Sequence, residues 1–276
     1  MTLKAPAQEQ IRFAWDAIAP RYDEFTTPMN QRFAEEVLRR VDLSPGVRLL
    51  DVACGSGALA IPAARRGARV TAVDLAQTMI ELLCTRARAD GLTRIESAVM
   101  DAESLDFADD SFDVTASMNG ISLLPDLKAG LREAVRVTRA GGEVMIVAFG
   151  PPPRVEFIGF LFGALKASGF MPPTDPPPLP FQLADPSRMR TELADAGLTE
   201  VRVETVSWEM RFASSDRFWD VVTASNPIAM KLIGQLGDQQ LAEMRQVLRG
   251  MFRERSDGGS VAILNNEMNI GIGKKP

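Results

Sequence analysis

The sequence predicts a doubly wound α/β fold: a Rossmann-like, mostly parallel sheet of about seven strands, with helical cover insertions late in the chain. Two observations carry that expectation. From about residue 42 to 149, short apolar runs rich in β-branched residues alternate with longer stretches of helical periodicity. Strand alternating with helix implies parallel strands joined by crossovers, with helices on both faces. The 276 residues, 46% hydrophobic and 24% charged, can bury a core without staples, so one domain is expected.

Residues 1–41 read as an N-terminal helical segment. The core, 42–150, holds five strand candidates: VRLLDVA (47–53), ARVTAVD (68–74), IESAVMD (95–101), FDVTASMN (112–119) and GEVMIVAF (142–149). Each is bounded by Gly, Asp or Pro. Between them ALAIPAARRG (58–67), AQTMIELLCTRARADG (76–91) and DLKAGLREAVRVTRAGG (126–142) carry helical spacing and end at glycine. Beyond 150 the chain changes character. FGPPPRVEF and MPPTDPPPLPF are too rich in proline for regular helix or central strand, and they flank a helix candidate at 155–168. DPSRMRTELADAGL follows, with Asp185 as N-cap and Gly197 as stop. EVRVETVSWEM (200–210) alternates like a half-exposed strand, helices are expected at 215–225 and 238–254, and LNNEMNIGIGKKP (264–276) closes with a strand. Residues 151–184 and 211–258 are expected to form the cover, with the prolines at 151–153 and 172–180 as a lid.

Composition narrows the function. A net charge of −5 with no basic stripe does not suit nucleic acid. No apolar run reaches the roughly 18 residues of a membrane span; FIGFLFGALKASGF is short and interrupted by Lys166. The N-terminus lacks the apolar stretch of a secretory signal. Two cysteines, Cys54 and Cys84, fit a reducing compartment, so a cytoplasmic protein without membrane insertion is expected. Histidine is absent, which removes the commonest zinc ligand and neutral-pH base, and no metal is expected.

In open α/β sheets the ligand sits at the carboxyl ends of the strands. Strand one delivers Asp51 and the turn Cys54-Gly55-Ser56-Gly57; the next three end in Asp74, Asp101 and Asn119. Gly55-x-Gly57-x-x-Ala60 satisfies a relaxed nucleotide fingerprint, with Asp74 placed for ribose hydroxyls. Asp51 discriminates between ligands. A diphosphate on this turn would face a carboxylate, and like charges 4 Å apart at an effective dielectric of about 20 cost about 4 kcal/mol. A ligand bearing an ammonium and a sulfonium gains instead, and S-adenosylmethionine has both with no phosphate.

From about Trp15 to Phe149 the chain resembles class I S-adenosylmethionine-dependent methyltransferases, most closely the small-molecule branch of ubiquinone and menaquinone biosynthesis. LLDVACGSG matches the first motif of that family, VTAVDLAQTMI the second and MDAESLDFADDSFD the third. PDLKAGLREAVRVTRAGGEVMI resembles the helix and glycine turn before strand five. Ala53 stands where the family usually has its first glycine. The resemblance implies that Ala53, Cys54, Gly55 and Gly57 form the loop at the methionine moiety and that Asp51 holds its amino end. It implies that Asp74 accepts from both ribose hydroxyls and that Leu75 and Met79 pack on adenine. Asp101 and the Ala102 N–H would read the adenine edge, Asn119 would lie near the transferable methyl, and Tyr22 would fold over the cofactor.

Simpler roles stand beside these: a tight turn for the glycines, a helix cap for Asp74, turn positions for Asp101 and Asn119-Gly120, packing for Tyr22. The acceptor is expected to be a hydrophobic small molecule, lined by Phe157, Phe160, Phe162, Met171, Phe181, Trp208, Met210, Phe218 and Trp219, although the pair Phe218 and Trp219 also suits a core. No catalytic residue is assigned. The histidines the family often carries after strand four are replaced by ISLLPD, so a base would be Asp, Glu, Tyr22 or water. Alternatives are a nicotinamide-dependent oxidoreductase and an inactive S-adenosylmethionine-binding protein. The oligomeric state is not legible.

Overall fold

The computed structural model describes residues 8–167, 169, 179–225 and 227–276. The N-terminal segment is helix α1 (Gln8–Arg21), a π turn (Tyr22–Thr26) and α2 (Thr27–Val37). The core then alternates as expected: β1 (Arg48–Val52), α3 (Ala60–Arg65), β2 (Arg69–Asp74), α4 (Gln77–Ala89), β3 (Ile95–Val99), β4 (Phe112–Met118), α5 (Leu127–Val137) and β5 (Thr138–Phe149). The later part contains α6 (Glu156–Ala167), α7 (Pro186–Asp195), β6 (Thr199–Phe212), α8 (Ser215–Ser225), α9 (Pro227–Ile233), α10 (Asp238–Arg255) and β7 (Ala262–Lys274).

Seven strands make one sheet in the order β3-β2-β1-β4-β5-β7-β6. The first five are parallel, and β7 pairs antiparallel with both β5 and β6. Strand order reverses between β1 and β4, so their carboxyl ends open the crevice expected of a switch point. One core fills the face under α2, α3 and α4, around Leu49, Val70, Leu83 and Met145. A second fills the face under α5 and α7, around Leu50, Leu131, Ile146 and Leu193. Local chemistry sets the helix ends. The Asp126 carboxylate accepts from Ala129 N–H at 2.9 Å to start α5, and Asp185 accepts from Ser187 N–H at 2.7 Å to start α7. Gly197, at φ +103°, ends the latter.

Two local expectations need correction. The helix expected over 126–142 stops at Val137, and TRAGG belongs to β5. Its pairing with β4 jumps from Phe112↔Thr138 to Val114↔Glu143, so the extra residues form a bulge. A Cβ on Gly142 would lie 2.7 Å from the Asp113 carbonyl oxygen, so the glycine serves strand approach rather than a helix stop. Helix α9 was not anticipated.

β6 and β7 continue well past the end of β5, whose pairing stops at Phe149↔Met268. The protruding halves carry Met210, Phe212 and Leu264 into a third cluster with α6, α8 and α10. α8, α9 and α10 all lie between Phe212 and Ala262, which are themselves paired. The buried Asn266 joins the arm to α6. Its Oδ1 accepts from Phe157 N–H at 2.9 Å, and its amide donates to the Trp208 and Leu264 carbonyls at 3.3 and 3.2 Å. Among the described residues no helix is long and apolar enough to cross a membrane.

Asn266→Ala strands a buried N–H and two carbonyls, and unsatisfied buried groups cost about 1–3 kcal/mol each. A lowered urea midpoint, equivalent to about 2–4 kcal/mol by equilibrium denaturation, is the expected result.

Candidate functional site

Asp51 lies one residue before the end of β1, opposite Ala72 of β2 and Ala116 of β4. The two alanine methyls leave space for the carboxylate, which is 1% exposed. The N–H of Ala60 donates to it, while Oδ2 has no partner among the described residues. Burial lifts its pKa from the ordinary 3.8 to about 8, with the nearby Asp74 charge adding to the rise. A buried carboxyl with an orphan oxygen is complementary to a cationic guest. Once ionised, it would repel a diphosphate.

Beyond β1 the chain turns through Ala53 at φ +55° into the glycine loop. Asp74, at the end of β2, holds that loop: Oδ2 accepts from Gly55 N–H and Oδ1 from Ala76 N–H, each at 2.9 Å. Each carboxylate oxygen retains acceptor capacity for a further donor. Asp74 therefore enters α4 as a turn residue and fixes the loop as well. Burial raises its pKa. Asp101 accepts from Glu103 N–H at 2.9 Å and from the side-chain amide of Gln8, which reaches across from α1. Asn119 follows β4 at φ +56°, its N–H bonded to the Val147 carbonyl at 2.9 Å and its buried Oδ1 unpartnered.

Tyr22, Asp51, Ala53, Cys54 and Gly55 line one cavity of about 390 Å³, together with Asp74, Leu75, Asp101, Ala102 and Asn119. Gly57 and Met79, also expected at the cofactor, lie outside its lining. A Cβ on Gly57, at φ +91°, would lie 3.1 Å from Ile61 and Leu83, so its bareness lets α3 and α4 close beneath the loop. Met79 is buried with Ala19 and Ala76 and packs against Trp15 and Tyr22, beneath the N-terminal segment. Burial pushes the Cys54 thiol well up, which leaves no thiolate nucleophile there.

Sequence reasoning missed the clasp that holds the N-terminal segment over this cavity. Asp16 accepts from Thr78 N–H at 2.9 Å, Asp23 pairs with Arg86 at 2.5 Å, and the Thr27 and Ser56 hydroxyls share a bond at 2.6 Å. Tyr22 sits over the loop, its Cε1 3.5 Å from where a Cβ of Gly55 would stand. Its hydroxyl accepts from Asn30 at 3.2 Å, and burial drives its pKa up to about 12. Gly120 was also missed. A Cβ there would lie 2.6 Å from Ala53 Cβ and 2.7 Å from Ser117 Oγ, and the Ser117 hydroxyl donates to the Val52 carbonyl at 2.8 Å.

A second chamber of about 130 Å³ adjoins the first, sharing Trp15, Tyr22, Asn30, Asn119 and Leu123. Of the aromatic and methionine residues expected around an acceptor, Phe157, Phe162, Phe181, Trp208 and Met210 line it. Phe160, Phe218 and Trp219 do not. Phe218 is fully buried, 5.3, 5.4 and 5.2 Å from Phe157, Phe212 and Phe252, and Trp219 stacks under Arg245 at 4.6 Å. Met171 and the prolines at 172–178 lie outside the described residues. Among the described lining residues none is charged.

Residues 49–142 match the methyltransferase domain family model. An uncharacterized protein of Mycobacterium tuberculosis strain H37Rv is 41% identical over 107 residues, 39% of this chain and 39% of that protein. The chain thus spans well under half the length of the mycobacterial relatives it matches. The ubiquinone/menaquinone biosynthesis C-methyltransferase UbiE of Geotalea daltonii is 33% identical over 189 residues, covering 59% of this chain and 79% of the relative. The chain belongs to the class I S-adenosylmethionine-dependent methyltransferases. That membership sets aside the nicotinamide reading, and S-adenosylmethionine is the cofactor of this family member. The [4+2]-cyclase SpnF shares the fold, with a TM-score of 0.61 and 20% identity over 100% of this chain and 99% of that one. The orphan Asp51 oxygen and the bare, cation-facing loop fit the cofactor's ammonium end.

Gly120→Ala must push strand ends apart, so a loss of about 2–4 kcal/mol is expected by denaturation, with weaker S-adenosylhomocysteine binding. Asp51 gives a pH signature. The ligand's ammonium needs the carboxylate, so calorimetric affinity for S-adenosylhomocysteine should rise about tenfold per pH unit from 6 and level off near 8. Between about pH 4 and 8 the free folded protein keeps a proton that the unfolded chain releases, so its stability falls as pH rises. Asp51→Asn should remove both slopes, lowering affinity at pH 8 about tenfold or more while making the ligand-free protein more stable there.

Proposed function

We propose that the protein transfers the methyl group of S-adenosylmethionine to a hydrophobic small molecule seated in the apolar chamber. The observation that carries this reading is the junction: an acidic cavity and an uncharged aromatic chamber meet at Tyr22 and Asn119. When bound, the cofactor supplies a methyl already activated on a sulfonium. Asp51 neutralises the ammonium end, Asp74 accepts from the ribose hydroxyls, Leu75 packs on adenine, and Asp101 and the Ala102 N–H read its edge. Residues 42–150 act as the cofactor half, 1–41 as its lid, and 151–184 with 211–258 as the acceptor cover. The Geotalea relative, named as a C-methyltransferase of ubiquinone/menaquinone biosynthesis, supports a small-molecule acceptor.

The chain brings little proton chemistry to the junction. Among the described chamber residues, Tyr22 is the one titratable group, and with its pKa near 12 it keeps its proton at neutral pH. The protein therefore acts mainly by placement, and the proton that a phenol or enol gives up on methylation passes to water. The two free cysteines fit a cytoplasmic setting, and the acidic balance disfavours a nucleic-acid acceptor.

A screen of apolar phenols, amines and enols, followed by S-adenosylhomocysteine release, tests the reading. Ile158 lines the chamber and not the cofactor cavity. Filling the chamber with Ile158→Trp should cut turnover of any acceptor found by about tenfold or more, with S-adenosylhomocysteine affinity held within about twofold. Unchanged turnover would move the acceptor site elsewhere.

A further inference from the structure

Thr26 ends the π turn, closed by Thr27 N–H donating to the Tyr22 carbonyl. This wide turn, of a kind that recurs at functional sites, leaves Tyr22, Thr26 and Asn30, spaced four apart, all lining the apolar chamber. Two polar neighbours there are committed: Asn30 donates to the Tyr22 hydroxyl at 3.2 Å and Ser225 to the Val222 carbonyl at 3.0 Å. The Thr26 hydroxyl is not. The residue is 7% exposed, and its Oγ1 has no partner among the described residues. A helical threonine ordinarily bonds back to a carbonyl in the preceding turn. Thr27 does so, to Tyr22 O at 3.3 Å, and Thr26 is denied it. The remaining walls are aromatic or aliphatic apart from Ser122 and from Asn119, whose Oδ1 is also unpartnered but which stands at the boundary with the cofactor cavity, and among the described residues none carries a charge to oppose a carboxylate or an ammonium. Such a group would lose its hydration there and gain nothing in return.

We propose that Thr26 is a specificity-determining residue: its hydroxyl takes the hydroxyl or carbonyl head of an uncharged amphiphile whose apolar remainder fills the chamber. This rests on the reading of that chamber as the acceptor site. The head then lies one turn of the N-terminal segment from Tyr22, which lines both cavities, and the tail lies against the aromatic and aliphatic walls. A charged analogue of the same shape is rejected.

Equilibrium dialysis of 4-butylphenol, butylbenzene and 4-butylbenzoate against the full chain saturated with S-adenosylhomocysteine tests this. The phenol should bind about tenfold or more tighter than the hydrocarbon, and the benzoate weakest of the three. Thr26→Val, similar in shape but without the hydroxyl, should shrink the phenol-to-hydrocarbon ratio to within about twofold, while Thr26→Ser keeps it. S-adenosylhomocysteine affinity in both variants should match the parent, which reports an intact lid. An unchanged ratio in Thr26→Val, a benzoate that binds as well as the phenol, or no binding of phenol and hydrocarbon alike overturns the proposal. Phenol preference that depends on Thr26 without methyl transfer to any acceptor would count against the proposed reaction and for this assignment. Methyl transfer with a Thr26-independent ratio would do the reverse.

Discussion

One carboxylate, buried without a countercharge, governs the rest of this structure. Asp51 is 1% exposed, flanked by two alanine methyls and left with an orphan oxygen. In the free protein that arrangement is costly, and the group responds by holding its proton at neutral pH. The neighbouring parts are arranged around that cost. Ala72 and Ala116 give room, Ala53 and the glycine loop leave the backbone bare, and Asp74 pins the loop with two accepted N–H bonds. A cationic guest would draw that proton off and offset the cost of burying the charge.

Around this point the molecule divides its labour. The parallel half of the sheet offers charge and bare backbone, while the antiparallel arm and its helices offer apolar walls. Asn119 and Tyr22 stand in both. The N-terminal segment spans the two halves and is tied down by contacts to α4 and to the glycine loop. Those separate contacts fix the segment that contributes Trp15, Tyr22 and Asn30 to both cavities.

The central parallel strands β1, β4 and β5 were legible because strands buried on both faces are written as near-continuous apolar runs, whereas the edge strand β3, half exposed, was legible from its place in the alternation. Where reading failed, a local pattern served a distant contact. TRAGG resembles a helix stop, yet its glycines admit the Asp113 carbonyl of the neighbouring strand. Gly57 belongs to the fingerprint but serves helix packing, whereas Gly120, in an ordinary Asn-Gly pair, is required by Ala53, 67 positions away in sequence. Aromatic content pointed to an apolar chamber but could not separate Phe162, which lines it, from Phe218, which is core. Thr26 gave no signal, since the π turn that frees its hydroxyl has no sequence signature.

The paired stems Phe212 and Ala262 carry a last consequence. Everything between them, α8 through α10, hangs from the tip of a single hairpin whose lower half completes the sheet. That stretch is contiguous in sequence, yet α8 is tied back to the N-terminal segment by the Arg21–Asp220 ion pair and by Arg217 over the Phe25 ring. A change in the packing of that hairpin is thereby felt at the turn that carries Tyr22, the residue common to both cavities.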